Sequence, residues 1–151
     1  MCSFAHPQLL VMVMPLADAI LVVDDDTDTR EMLVAYLQAL GFTVHSAPNG
    51  ATALPMADAL RPRVILMDLA MPGLNGLDTT RRLRANADLR EATIIAVTGY
   101  AMATDRVAAH RAGCDFFIPK PYDLTTLAHF VAGLLHPRPV TAPRLSPTSD
   151  P

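Results

Sequence analysis

Short apolar runs alternate with helix-length segments five times between Ala19 and Leu135. A continuous apolar run such as Ala19–Val23 fits a strand that is covered on both faces. The segments between the runs carry apolar residues at helical spacing, for example Leu33, Leu37 and Leu40. Strands that alternate with helices form parallel sheets with right-handed crossovers. The pattern therefore predicts a doubly wound α/β sandwich with five parallel strands.

The bounds of the predicted elements follow from these runs and from capping residues. The predicted strands are Ala19–Val23, Phe42–Ala47, Val64–Met67, Thr93–Val97 and Phe116–Ile118. The predicted helices are Asp28–Leu40, a second one that Asn49 caps and that runs to about Leu60, Gly76–Ala85, Ala103–Ala112 and Asp123–Leu135. Pro55 falls inside the second helix, where we expect a kink or a break because proline lacks an amide proton and its ring clashes with the preceding turn.

Length and composition predict one globular domain, residues 18–136, with unpatterned ends. The chain has 151 residues, of which 51% are hydrophobic and 18% charged. We interpret residues 1–17 as an N-terminal extension that is disordered or lies upstream of the natural start; its apolar run is too short to span a bilayer. Residues 137–151 are rich in proline and lack apolar periodicity, so we expect a disordered tail.

Charge and cysteine usage exclude several functional classes. The formal net charge is −3, which gives no reason to expect binding to nucleic acid or to an anionic membrane. The two cysteines, Cys2 and Cys114, lie far apart and form no disulfide framework. We therefore expect a reducing, cytoplasmic location, with Cys114 as a small buried residue.

Polar residues that can carry chemistry follow four of the predicted strands. Asp24 and Asp25 follow the first strand, Asp68 the third, Thr98 ends the fourth, and Lys120 follows the fifth. In an open parallel sheet, the carboxyl ends near the switch in strand order form the binding crevice. Clustered carboxylates raise one another's pKa unless cations neutralise them, and Mg²⁺ fits such oxygen ligands best. A carboxylate held beside Mg²⁺ and a lysine can attack phosphorus and form an acyl phosphate.

Four motifs at these positions resemble the response-regulator receiver family, in particular its single-domain members similar to chemotaxis regulators. The motifs read LVVDDD (Leu21–Asp26), LMDLAMPGLNG (Leu66–Gly76), VTGYA (Val97–Ala101) and PKPY (Pro119–Tyr122), and their spacing matches as well. The resemblance covers residues 19–135. It implies a flavodoxin-like (βα)5 sandwich with strand order 2-1-3-4-5.

The resemblance also implies a role for each acidic residue of the site. It identifies Asp68 as the phospho-acceptor. It implies that Asp24 and Asp25 hold Mg²⁺ together with Asp68 and the backbone carbonyl of Ala70. By contrast, Asp26 and Asp28 are interpreted as acidic residues at a helix start, where they favour the helix dipole.

Three further residues acquire roles from the same resemblance. Thr98 is implied to be the hydroxyl that moves to bind the phosphoryl group, and Lys120 its counter-ion. Phe117 occupies the switch-aromatic position, and because it lacks a hydroxyl we expect any switch here to act through packing.

The implied function is that of a response regulator in a two-component phosphorelay. A sensor histidine kinase or a histidine phosphotransfer protein would supply the phosphoryl group in the presence of Mg²⁺. The signal would leave by relay, or by binding a protein target through the face made by the fourth helix, the fifth strand and the fifth helix. The resemblance implies no DNA-binding output domain, and no catalysis beyond the chain's own phosphorylation and dephosphorylation.

Three other interpretations remain open at this point. A phosphatase of the haloacid-dehalogenase type shares aspartyl-phosphate chemistry. Its D-x-D-x-[TV] motif would begin with Asp24 and Asp26 and would need Thr or Val at the fifth position, which is Asp28 in this sequence. The chain could also be the receiver fragment of a hybrid histidine kinase. A pseudo-receiver that only scaffolds is disfavoured because all the site residues are present.

Overall fold

The computed structural model describes residues 18–99 and 102–135, which form five strands and five helices in strict alternation. The predicted N-terminal extension, residues 1–17, and the predicted tail, residues 137–151, lie outside the described residues. Within the described part, no helix has the length and apolarity needed to cross a membrane.

The elements agree closely with the predicted bounds. The strands are β1 (Ala19–Val23), β2 (Thr43–Ala47), β3 (Val64–Met67), β4 (Thr93–Thr98) and β5 (Phe116–Pro119). The helices are α1 (Thr27–Ala39), α2 (Gly50–Leu60), α3 (Gly76–Ala85), α4 (Ala103–Ala112) and α5 (Leu124–Leu135), with a 3₁₀ turn at Ala87–Leu89. Where a predicted end differs from the structure, it differs by one residue.

The strands form one parallel sheet in the order β2-β1-β3-β4-β5, as predicted. Helices α2, α3 and α4 cover one face, where Leu21, Ile65 and Ile94 are fully buried. Helices α1 and α5 cover the other face, over Ile20 and Leu66. Burying one such side chain contributes about 1.5–3 kcal/mol, so both layers are stabilised by the continuous apolar runs that predicted them.

The prediction of a break at Pro55 is wrong, because α2 continues through it from Gly50 to Leu60. The missing amide leaves only the carbonyl of Ala51 without its helical partner. Both Ala51 and Pro55 are exposed, so water can satisfy that carbonyl. The buried side of α2 is made by Ala53 and Ala57, and their packing on the sheet holds the helix together.

Candidate functional site

The sheet brings the predicted site residues to one edge. Val23 and Met67 are register partners on the neighbouring strands β1 and β3, so the residues that follow them, Asp24 and Asp68, emerge side by side. The amide of Asp68 donates to the carbonyl of Val23 at 2.9 Å, which extends the strand pairing into the site. On the far side, the amide of Lys120 donates to the carbonyl of Thr98 at 2.8 Å.

Three carboxylates converge at this edge. Asp24, Asp25 and Asp68 each offer an oxygen, and these three atoms lie within 4.8 Å of one another. Asp24 and Asp68 are buried, whereas Asp25 is exposed at the mouth of the cleft. Opposite ligands of an octahedral Mg²⁺ lie about 4.2 Å apart, given bond lengths of about 2.1 Å. The three carboxylates thus present hard oxygen atoms close together, the kind of ligand that a divalent cation such as Mg²⁺ prefers.

Lys120 lies between the two buried carboxylates. Its ammonium nitrogen is 2.9 Å from Oδ2 of Asp24 and 3.6 Å from Oδ2 of Asp68. Burial works against the ammonium, but the hydrogen bond to Asp24 and the charge of Asp68 outweigh burial and raise the pKa of Lys120. The peptide bond from Lys120 to Pro121 is cis. Lys120 thus supplies a permanent positive charge beside Asp68.

The pKa of the Asp68 carboxyl group is raised towards neutral pH. Burial raises its pKa to about 6, opposed by the amide of Ala70 and the charge of Lys120, while Asp24 and Asp25 raise it further. The amide of Ala70 donates to Oδ1 of Asp68 at 3.0 Å, which orients the carboxylate. Near neutral pH this group is an ionised nucleophile whose charge is only partly neutralised by the protein.

The loop after β1 is held by hydrogen bonds that converge on Asp24. Oδ1 of Asp24 accepts from the amide of Asp26 at 2.9 Å, and its backbone carbonyl accepts from Arg30 at 2.7 Å. Asp26 itself caps α1 by accepting from the amides of Asp28 and Thr29. The interpretation of Asp26 and Asp28 as helix-start residues is thus confirmed.

The helix after β3 approaches the back of Asp68 very closely. At Gly76, the first residue of α3, a methyl group would overlap the carbonyl oxygen of Asp68 and lie 2.6 Å from Cα of Leu69. Only glycine permits this approach. The amide of Gly76 also donates to the carbonyl of Leu69 at 3.3 Å, so helix and strand end are locked together.

Thr98 and Phe117 lie on the same face of the sheet. Thr98 is fully buried at the end of β4. Ala96 and Phe117 are register partners in β4 and β5, and Ala96 shares a face with Thr98 two positions away. Phe117 is partly buried against the core beneath α4, whereas Phe116 is 42% exposed and packs edge-to-face on Phe130. Of the two phenylalanines, Phe117 is therefore the one next to the site.

Three arginines that contact these elements were not predicted from the sequence. Arg30 binds the carbonyl of Asp24, Arg84 ties the ends of three elements together, and Arg106 lies over the ring of Phe117. No sequence motif around Arg84 or Arg106 indicates the contacts that these two side chains make. Arg30 could have been suspected because it follows the acidic loop by one turn of α1.

A family model matches most of this architecture. The model described as "Response regulator receiver domain" matches residues 20–132. Among curated relatives, Protein PilH of Pseudomonas aeruginosa is 37% identical over 116 residues, which are 77% of this chain and 96% of PilH. The response regulator MprA of Mycobacterium ulcerans is 40% identical over 116 residues, again 77% of this chain. That match spans about half of MprA, 49% of its length.

A solved structure adds a magnesium ion to the comparison. The receiver domain of the sensor histidine kinase PA1611 from Pseudomonas aeruginosa superposes with a TM-score of 0.73 at 31% identity, over 79% of this chain and 98% of that domain. That structure is described as having a magnesium ion coordinated in the active site cleft.

Proposed function

The chain belongs to the response-regulator receiver family, a family of signalling domains, and from this premise we propose that it accepts a phosphoryl group on Asp68. The observation that carries the proposal is that Asp68 lies in one cleft with Lys120 and two further carboxylates. This arrangement orients the carboxylate of Asp68 and places a positive charge beside it, as a phosphoryl acceptor needs.

The proposed step is a displacement at phosphorus. A carboxylate oxygen of Asp68 attacks the phosphorus of a phosphohistidine, the P–N bond breaks, and the imidazole leaves with the electron pair of that bond. The product is an acyl phosphate on Asp68. Lys120, whose ammonium is 3.6 Å from Oδ2 of Asp68, balances charge on the transferring group. Thr98, at the neighbouring strand end, supplies a hydroxyl that we assign to the phosphoryl oxygens.

Mg²⁺ fits the residues that surround the acceptor. We propose that Asp24, Asp25, Asp68 and the backbone carbonyl of Ala70 hold the ion, since their hard oxygen atoms are the ligands that Mg²⁺ prefers. When bound, the ion neutralises charge that builds up on the phosphoryl oxygens. Lys120 neutralises only part of the charge of three carboxylates, which leaves this cluster suited to a divalent cation.

The metal assignment has a direct test. Asp25→Ala removes the exposed carboxylate and should weaken Mg²⁺ affinity, measured by calorimetry, by at least about tenfold, since even the loss of an outer-shell partner of a metal ligand typically costs about 10- to 100-fold. Asp28→Ala removes an equal charge nearby and should leave affinity almost unchanged. Equal affinities in wild type and Asp25→Ala would contradict the assignment.

Receiver domains take part in signalling with histidine kinases and phosphotransfer proteins, and we propose a partner of this kind as the phosphoryl donor. Output would use the face made by α4, β5 and α5. A groove of about 530 Å³ lies on this face between β5 and α5 and is lined by Phe116, Tyr122 and Phe130, among others. An apolar groove of this size is suited to contact with a protein target.

Stoichiometry distinguishes this proposal from phosphatase activity. A receiver incubated with Mg²⁺ and acetyl phosphate should take up at most one phosphoryl group per chain. A phosphatase of the haloacid-dehalogenase type would instead hydrolyse a phosphate ester such as p-nitrophenyl phosphate continuously. Steady ester turnover without a stable label would contradict the receiver proposal.

The route from the phosphoryl group to the output face predicts a separable role for Thr98. Thr98→Ala should leave Asp68 able to take the label but should reduce the conformational response. The measurement compares amide chemical shifts over residues 103–117 with and without beryllofluoride, which mimics the phosphoryl group. Shifts of wild-type size in Thr98→Ala would exclude this route.

A further inference from the structure

Arg106 has no part in the chemistry proposed above, yet it contacts the residue at the switch position. The central carbon of its guanidinium lies 4.8 Å from the centroid of the Phe117 ring. A cation within about 6 Å of a ring centroid is attracted by the ring's negative face. Arg106 is exposed and, among the residues described here, forms no salt bridge that would compete for its charge.

The side chain beside Phe117 on β4 is a small one. The register partner of Phe117 on β4 is Ala96, which offers only a methyl group on that face. Thr98 lies on the same face, one alternation nearer the cleft. A shift of Thr98 towards a phosphoryl group would therefore open a path for the ring along β4.

The ring of Phe117 also borders a cavity beside α4. A cavity of about 180 Å³ is lined by Phe117 together with Arg106, Ala109, His110 and Cys114, among others. Close packing alone therefore does not determine where the ring lies. The guanidinium of Arg106 attracts the ring of Phe117, and this attraction is lost if the ring moves away from α4.

We propose that Arg106 is a latch on Phe117: it stabilises the ring in the position described here and so opposes the turn of the ring that accompanies phosphorylation. The inference rests on the proposed function, because it assigns regulation of the same switch. Whatever stabilises one state of a two-state element lowers the apparent affinity of a ligand that binds the other state, by up to the same factor. Loss of the latch should therefore make phosphorylation more favourable.

The expected effect is modest and measurable. An exposed cation–π contact corresponds to about a two- to fivefold change in an equilibrium constant. Arg106→Gln removes the charge but keeps much of the side chain. Arg111→Gln is the matched control, since it removes the same charge from the same helix at an exposed position that makes no ring contact. Arg106→Lys keeps the charge and should restore most of the wild-type behaviour.

Two readouts test the proposal. The first is the fluorine NMR signal of Phe117 in protein labelled with 4-fluorophenylalanine, assigned with Phe117→Leu, in the absence of any phosphodonor. The second is the apparent affinity for beryllofluoride in the presence of Mg²⁺, followed on the same signal. Arg106→Gln should move the ring signal and raise the affinity about two- to fivefold, with Arg111→Gln unchanged in both.

Two results would overturn the latch. One is a wild-type ring signal and affinity in Arg106→Gln. The other is an equal change in Arg106→Gln and Arg111→Gln, which would show an effect of overall charge. If wild type proves unable to take a phosphoryl group, the proposed function fails, but the ring signal without phosphodonor still decides whether Arg106 positions Phe117.

Discussion

At the scale of single residues, the site depends on how closely the backbone of α3 approaches Asp68. Gly76 lies against the carbonyl of Asp68, and no other residue type fits there without displacing the strand end. A reactive carboxylate must be held within a few tenths of an ångström of its productive position. If Asp68 accepts a phosphoryl group as proposed, Gly76 contributes through geometry, without any functional group of its own.

Gly76→Ala should move Asp68 and disturb both stability and phosphorylation. The added methyl group overlaps backbone atoms of Asp68 and Leu69, and overpacking of this kind costs about 1–3 kcal/mol. Urea unfolding and the rate of labelling by acetyl phosphate would measure the two effects. Gly133→Ala is the control: nothing lies within 4 Å of the added atom, and helix propensity predicts a gain of up to about 1 kcal/mol. A neutral Gly76→Ala would contradict the close approach.

Sequence patterns predicted the acidic residues and Lys120 because each directly follows an apolar run that ends at the same edge of the sheet. Parallel strands make that inference reliable. The contacts of Arg106 with Phe117 and of Arg30 with the carbonyl of Asp24 could not be predicted in the same way. They depend on the rotamers of long side chains and on the packing angle of each helix, which no local pattern specifies.

At the scale of elements, Arg84 joins three segments that are distant in sequence. From α3 it donates to the carbonyls of Gly113, Leu89, Arg90 and Ala92, and it forms a 2.7 Å salt bridge with Asp115. Its side chain is only 20% exposed. It thereby satisfies the carbonyls at the end of α4 and at the approaches to β4 and β5.

Arg84→Met should destabilise the fold by about 2–4 kcal/mol, because partly buried carbonyls and Asp115 would lose a charged donor. Arg82→Met, on the exposed side of the same helix, should change stability by less than about 0.5 kcal/mol. Thermal and urea unfolding of the two variants would give the comparison. Equal losses of stability in the two variants would mean that the positive charge on α3, and not the hydrogen bonds of Arg84, stabilises the fold.

The elements themselves were mostly predictable, and the exception is informative. Asn49 and Gly113 mark helix ends as expected, because Asn49 accepts from a first-turn amide of α2 and Gly113 ends α4 in the left-handed conformation. Pro55 did not break α2, since tertiary packing of Ala53 and Ala57 outweighs the loss of one hydrogen bond at an exposed position. Propensity rules fail where burial of one helix side decides the outcome.

At the scale of the whole molecule, the fold brings charges that repel one another to the site of the proposed phosphorylation. Three carboxylates share one cleft with a single lysine, and burial raises the pKa of Asp68 to about 6. Without a divalent cation, this arrangement reduces the stability of the folded state near neutral pH. The excess negative charge of the cleft is what a divalent cation would neutralise on binding.

Asp68→Asn should therefore stabilise the metal-free fold in a pH-dependent way. The pKa of Asp68 is raised from 3.8 to about 6, so its favourable contribution is complete below about pH 3.8 and is lost as the pH rises through about 6. In EDTA, the free energy of unfolding of the variant relative to wild type should therefore increase by about 1–3 kcal/mol when the pH is raised from about 4 to about 8.

Urea unfolding at both pH values would measure this gain. Asp58→Asn, at an exposed position on α2, should show no such trend. A difference between Asp68→Asn and wild type that does not change with pH would contradict the raised pKa of Asp68.

The most direct test of the account is to locate the phosphoryl group. Protein incubated with Mg²⁺ and acetyl phosphate would be digested and its peptides analysed by mass spectrometry. We predict a single modification, on the peptide that carries Asp68, which disappears in EDTA and in Asp68→Asn while that variant stays folded. A modification at another residue, or labelling of Asp68→Asn at the wild-type rate, would contradict the central claim that Asp68 is the phospho-acceptor.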